Sequence, residues 1–192
     1  MSLAVQIRQH GGPEELHIVD VTVGEPGPGE IRIRHHAIGL NFIDVYHRTG
    51  LYPLGMPATI GMEGAGVVEA VGEGVNLFAP GDRVFYAGAL DRQGSNAEYQ
   101  LVDERIVGHA PASLDDAAAA ALPLTAITAW ELLFDRLRIA EGGGEGQTLL
   151  VVGAAGGVGS ILVQLARQLT RLTVIGTASR PDTQDWVYAL GA

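Results

Sequence analysis

No cysteine occurs in the chain. That excludes a disulfide framework, a thiolate zinc site and a cysteine nucleophile, and it leaves thiols silent about redox compartment. Positive charge is scarce too: 12 Lys and Arg stand against 22 Asp and Glu, for a net charge of −10. Nucleic acids and anionic membrane surfaces select clustered positive charge, so neither is an expected partner, and any phosphate must be held by local features. No apolar run reaches the roughly 18 residues of a spanning helix. The start, Met1-Ser-Leu-Ala-Val-Gln-Ile-Arg8, alternates like a strand and lacks the basic start and long apolar stretch of a secretory leader. Membrane insertion and secretion are not indicated, and a cytoplasmic location is the default expectation. No internal repeat is present.

What is there fits a globular chain: 47% apolar and 18% charged residues over 192 positions support a buried core. Up to about residue 112, short alternating segments at 4–8, 17–23, 30–38, 64–71, 82–86 and 97–101 are punctuated by Gly and Pro, which predicts β-strands and turns. After Pro111 the texture changes. Ser113 is placed to cap a helix through Ala121 with Asp115 and Asp116 in its first turn, and a second helix fits 124–137. A strand at 148–152, a helix at 158–169, a strand at 172–177 and a last helix at 182–190 follow, with Pro181 in the first turn of that helix. The β-α-β-α order predicts a parallel sheet. The expected fold class is α/β: a β-rich domain over 1–121, then the first part of a doubly wound parallel sheet over 122–192.

The stretch Thr148-Leu-Leu-Val-Val-Gly153-Ala-Ala-Gly156-Gly157-Val158-Gly159-Ser reads as strand, glycine turn and helix in direct succession. Gly153, Gly156 and Gly159 would let the chain turn tightly, approach an anion and pack helix on strand. The free N–H groups and helix dipole at Gly157 and Val158 attract phosphate. The spacing departs from the commonest Gly-x-Gly-x-x-Gly, so the flanking strand and amphipathic helix carry much of the inference. An NAD site is expected to hold Asp or Glu about 20 residues past the glycines. Here that place reads Gly176-Thr-Ala-Ser179-Arg180, with no carboxylate before Asp182. Ser179 and Arg180 can donate hydrogen bonds to a 2′-phosphate, which favours NADPH. The alternative, in which Ser179 caps the last helix and Arg180 is a solvated charge, stays open. A doubly wound domain needs several more strands than the residues after Gly159 supply, so the domain is expected to be truncated.

Three further segments carry a family resemblance: Gly39-Leu-Asn41-Phe-Ile-Asp44-Val-Tyr46-His-Arg-Thr-Gly-Leu-Tyr52-Pro, Gly61-Met-Glu63-Gly-Ala-Gly-Val-Val-Glu-Ala-Val-Gly72 and Pro80-Gly-Asp-Arg-Val84. With the glycine turn, they resemble the medium-chain dehydrogenase/reductase superfamily over almost the whole chain. The N-terminal third is most similar to NADPH:quinone oxidoreductases of the zeta-crystallin type. From about Phe85 onward, Gly94-Ser-Asn-Ala-Glu-Tyr and Leu122-Pro-Leu-Thr-Ala-Ile-Thr128-Ala-Trp are more similar to zinc-type alcohol dehydrogenase-like proteins. The resemblance implies a GroES-like β domain followed by a Rossmann domain.

Zinc-dependent relatives place a cysteine where this chain has Asn41, a histidine where it has Met62, and a cysteine-rich lobe without counterpart here. Zinc needs three or four N, S or carboxylate ligands, so no metal is predicted. His35 and His36 face opposite sides of a strand, and His10, His17, His47 and His109 are read as surface histidines. The resemblance implies hydride transfer from NADPH to a small-molecule quinone or enone, with carbonyl polarisation by hydrogen bonds. It puts Asn41 and Asp44 beside the nicotinamide, Tyr52 in the acceptor pocket with Tyr46 as a second candidate, and Thr128 against the cofactor. Asp44 as a helix cap and Tyr46 as a core edge remain equal alternatives, and Glu63 reads as a buried structural carboxylate. Two other functions stay open: dinucleotide binding without catalysis, and a structural fragment. Uncovered apolar sheet edges would favour a homo-oligomer.

Overall fold

The alternating segments pair as antiparallel strands in the computed structural model of the chain, which describes residues 1–192. Two units result, Met1–Leu124 and Thr125–Ala192. In the first, β1 (Ser2–Ile7) lies between β2 (His17–Val21) and β4 (Ala58–Thr59). The second sheet of this unit has five strands, β3 (Glu30–Gly39), β5 (Glu63–Val71), β6 (Arg83–Ala87), β7 (Tyr99–Asp103) and β8 (Val107–His109), in the order β7-β3-β5-β6-β8. Helix α1 (Phe42–Thr49) links β3 to β4, and the short α2 (Asp116–Ala120) packs on the five-stranded sheet.

The period-2 pattern explains the core. Ile31 and Ile33 lie two apart on β3 and turn the same way, meeting Val68, Val84, Tyr86 and Val102. β5 carries Gly64 and Gly66 beside a bulge in the β3 pairing between His35 and Ala37. A Cβ on Gly66 would collide with the Arg34 carbonyl, so close backbone approach accounts for this glycine. One polar chain crosses this core. Tyr86 donates to Gln100, His35 Nε2 meets the Tyr86 hydroxyl at 2.6 Å, and His35 Nδ1 meets the Ala97 carbonyl at 2.6 Å. Burial pushes the Tyr86 hydroxyl up and holds the His35 imidazole below its usual value.

The second unit holds most of α3 (Pro123–Trp130), then β9 (Thr148–Val151), α4 (Gly157–Leu169), β10 (Thr173–Gly176) and α5 (Pro181–Leu190). β9 and β10 pair in parallel, Thr148 opposite Thr173. Val151 and Val174 turn into a core with Ala129, Leu133, Leu162, Val163, Ala166 and Val187. Their neighbours Leu150 and Ile175 are 58% and 51% exposed on the opposite face.

Several sequence expectations move. The segment predicted as a strand at 97–101 starts at Tyr99, because Asn96 and Ala97 are already engaged: Asn96 N bonds the Ile60 carbonyl at 2.9 Å, and Ala97 bridges Ala4. Asp115, not Ser113, caps α2; its carboxylate accepts from Ala118 N at 2.8 Å, the three-residue spacing a side-chain cap requires. The helix predicted over 124–137 is α-helical only to Trp130. Glu131–Arg136 is a π-helical turn, with Leu137 N bonded to the Leu132 carbonyl, and left-handed Arg138 (φ 55) follows. The wider turn keeps Leu133 in the core while Trp130 and Phe134 pack with ring centroids 4.5 Å apart. No helix is long and apolar enough to cross a membrane.

Candidate functional site

Helix α1 is built around its first turn. Asn41 precedes it in extended conformation, its N–H donates to Asp44 Oδ2 at 2.8 Å, and Asp44 N–H donates to the Asn41 carbonyl at 3.0 Å. Asp44 therefore closes the N-terminal turn through its side chain. Left-handed Gly50 (φ 83) ends the helix. Asp44 and His47, three apart, share the buried face, whereas Phe42 and Val45 are exposed. Burial pushes the Asp44 carboxyl up against the opposing pull of the Asn41 N–H and His47, and its Oδ1 has no partner. His47, read as a surface residue from sequence, is only 2% exposed, because the helical spacing carries it inward with Asp44; burial lowers its pKa.

Tyr46 and Tyr52 come together. Tyr52 N–H bonds the Tyr46 carbonyl at 3.2 Å, and their rings meet edge to face at 5.4 Å. Phe42 lies 5.9 Å from Tyr46, so three rings line one side of α1 and the following loop, with Tyr52 half exposed. At the start of β5, Glu63 is 2% exposed, with one oxygen 2.7 Å from Asn41 Nδ2 and the other 2.8 Å from Leu124 N. Asn41 and Asp44 are thus bonded to each other, Tyr46 and Tyr52 pack together, and Asn41 is tied to Glu63 by a link that sequence spacing did not reveal. No group of three or more His, Cys, Asp or Glu side chains converges anywhere.

In the second unit the glycine turn leaves β9 through Gly153, which is left-handed (φ 70). Thr177, just past β10, closes the turn from the side: its hydroxyl accepts from Gly153 N at 2.9 Å and its carbonyl from Ala154 N at 3.0 Å. Gly156 is the N-cap of α4. A Cβ on Gly159 would lie 2.6 Å from the Gly153 carbonyl, and one on Gly157 would lie 3.0 Å from Thr125 Cγ2 of α3. The turn is therefore packed to glycine dimensions on both sides. The first-turn N–H groups of α4, at Gly157, Val158 and Gly159, have no acceptor within the helix. Half-buried Thr128 sits one turn beyond Thr125 on α3.

Ser179 and Arg180 are exposed at the end of β10, on the same side of the sheet as the turn that Thr177 closes. The alternative role for Ser179 as the cap of α5 does not hold. Arg180 occupies the cap position, and Thr183 performs the bonding, its Oγ1 accepting from Arg180 N at 3.3 Å and donating to the Arg180 carbonyl at 2.7 Å. Arg180 has no ion-pair partner, and both side chains face solvent.

Comparison with known proteins matches residues 27–112 to the family described as alcohol dehydrogenase GroES-like domain. A quinone oxidoreductase of Pseudomonas aeruginosa is 45% identical over 184 residues, covering 95% of this chain and 54% of that protein. A zinc-type alcohol dehydrogenase-like protein of Staphylococcus aureus is 44% identical over 169 residues, covering 87% and 50%. Among solved structures, Escherichia coli quinone oxidoreductase complexed with NADPH superimposes with a TM-score of 0.85 at 34% identity, covering 99% of this chain and 56% of that one. The chain spans about half the length of the curated relatives it matches.

Proposed function

We propose that this chain, which belongs to the medium-chain dehydrogenase/reductase superfamily, is the acceptor-side and pyrophosphate-side portion of an NADPH-dependent reductase of quinones or enones. The observation that carries the reading is the glycine turn. It is packed so that Gly159 admits no side chain, it presents free first-turn N–H groups, and an unpaired Arg180 lies at the end of the next strand. Those features fit a dinucleotide: Gly156, Gly157, Val158 and Gly159 would hold the pyrophosphate on the α4 N-terminus, with Gly153 setting the turn. Ser179 and Arg180 would hold a 2′-phosphate, and Thr128 would meet the nicotinamide half. That the E. coli relative was solved with NADPH supports the same assignment.

When bound, NADPH supplies the hydride, so that the acceptor gains two electrons and one proton is taken up from the site or from water. The chain's own residues orient and polarise. Tyr46 and Tyr52 offer an aromatic wall and hydroxyl donors to a flat acceptor, and Asn41 offers an amide donor to its oxygen. Asp44 keeps the first turn of α1 in place and so holds Asn41. Zinc does not fit. Asn41 is a neutral amide whose nitrogen faces Glu63, Met62 is a buried thioether, and no three His, Cys, Asp or Glu side chains converge. No step is assigned to a metal.

Arg180→Glu tests the nucleotide assignment. By calorimetry, its NADPH dissociation constant is expected to rise about 10- to 100-fold while that of NADH changes less than about twofold, since only NADPH carries the 2′-phosphate. An equal loss for both nucleotides rejects the 2′-phosphate role. NADPH oxidation with a quinone, followed by absorbance, tests the activity itself.

A further inference from the structure

Glu63 is buried at the start of β5 in a slot shaped around its carboxylate. A Cβ on Gly39 would collide with Glu63 Oε1 and lie 2.7 Å from the Ala120 carbonyl. Only glycine at 39 leaves the carboxylate its place. Both of its oxygens accept hydrogen bonds, from Asn41 Nδ2 at 2.7 Å and from Leu124 N at 2.8 Å. The second donor belongs to the first turn of α3, where Pro123 has no N–H and the helix end favours negative charge.

This arrangement dictates the orientation of the Asn41 amide. A carboxylate only accepts, so the Asn41 nitrogen, and not its oxygen, must face Glu63. One Nδ2–H is consumed there, and the other has no partner in the protein. The backbone is fixed as well, through the Asn41 N–H to Asp44 bond.

We propose that Glu63 is a positioning residue that locks the Asn41 amide with its nitrogen inward, so that the remaining Nδ2–H is held as a donor for the carbonyl oxygen of the acceptor. The inference rests on the reading above that Asn41 faces the acceptor, and it narrows the substrate: the group opposite Asn41 must be a hydrogen-bond acceptor. A ketone, enone or quinone oxygen qualifies. An ammonium or other donor-only group does not.

Side-chain amide NMR of the unmodified chain tests the lock directly and needs no variant. One Asn41 Nδ2 proton is expected to exchange slowly with solvent and the other quickly; two protons exchanging alike overturn the proposal. Glu63→Gln keeps the volume but leaves one oxygen for two donors, so that where Leu124 N–H keeps that oxygen, an NH2 faces Asn41 and the asymmetry should vanish. The kcat for quinone reduction should then fall about tenfold or more, with KM for NADPH unchanged. Retained asymmetry in Glu63→Gln with Leu124 N–H still protected from exchange overturns the role of Glu63. Lost asymmetry with an unchanged kcat overturns the donor role of Asn41, while the orienting bond stands. A native chain that shows the asymmetry yet reduces no quinone overturns the donor role by removing the reading on which it rests.

Discussion

The two units bury their sheets to different extents. In the first, antiparallel strands distant in sequence pair, with Gln6 of β1 opposite Thr59 of β4 and Glu30 of β3 opposite Asp103 of β7. The first four residues of β5 are buried, with the Ile31–Ile33–Val84 core and the Ala65–Ala119–Ala120 cluster both drawing on the five-stranded sheet. In the second, β9 and β10 are covered by helices on one face, and Leu150, Val152 and Ile175 of the other face are 58%, 79% and 51% exposed. The glycine turn therefore stands on a sheet covered on one face, whereas Glu63 stands on the five-stranded sheet, at a buried strand end.

Adjacent residues of β10 break this comparison most sharply. Val174→Asp puts an unpaired carboxylate into the helix-covered core and is expected to cost about 3 kcal/mol or more. Ile175→Asp, on the exposed face, is expected to cost about 1 kcal/mol or less. Both tryptophans, Trp130 and Trp186, lie in the second unit, so denaturant unfolding followed by tryptophan fluorescence reads it selectively. Equal costs at 174 and 175 would mean that the second face is covered in solution.

A smaller effect is expected at the turn. Gly159→Ala forces a Cβ to within 2.6 Å of the Gly153 carbonyl, so α4 must shift, at about 1–3 kcal/mol by the same fluorescence measurement and with weaker NADPH binding by calorimetry. Unchanged stability and affinity would show that the turn is less tightly packed than its geometry.

The smallest effect belongs to the first unit and tests its buried polar chain. Burial lowers the His35 pKa from 6.5, so the unfolded chain binds a proton that the folded one refuses. The stabilisation from neutral His35 is complete above pH 6.5 and is lost as pH falls from there through the lowered folded value. Between about pH 7.5 and pH 5.5, amide exchange in β3 and β5 should show the unmodified chain losing more stability than His35→Gln. Equal losses would exclude His35 as the titrating group.

Much of this was legible in advance. Period-2 alternation at Ile31 and Ile33 sufficed for a strand and its inward face, and the apolar run before Gly153 with the amphipathic stretch after Gly159 sufficed for the turn. β4 and β8, of two and three residues, were not legible, because strands that short hold too few residues for a period to register. The π-helical turn was hidden for a different reason: its residues keep a helical pattern, and the hydrogen-bond shift follows from packing around Leu133. Asn41, Asp44, Tyr46 and Tyr52 were proposed together from one short segment, but Glu63 read only as a structural carboxylate. Its bonds to Asn41 and Leu124 cross 22 and 61 residues of sequence.

By itself the sequence determined what is local: strand periodicity, the glycine turn, and the absence of cysteine. Each depends on side-chain identity and on spacings of a few residues, which covalent geometry and helix or strand periods translate directly into position. Tertiary structure alone decided the partners of buried polar atoms. It carried His47 inward with Asp44, gave the α5 cap to Thr183 instead of Ser179, and set Glu63 between Asn41 and the first turn of α3. A buried donor or acceptor must be satisfied by whatever the folded chain brings within about 3 Å, and no local pattern encodes which distant residue that will be.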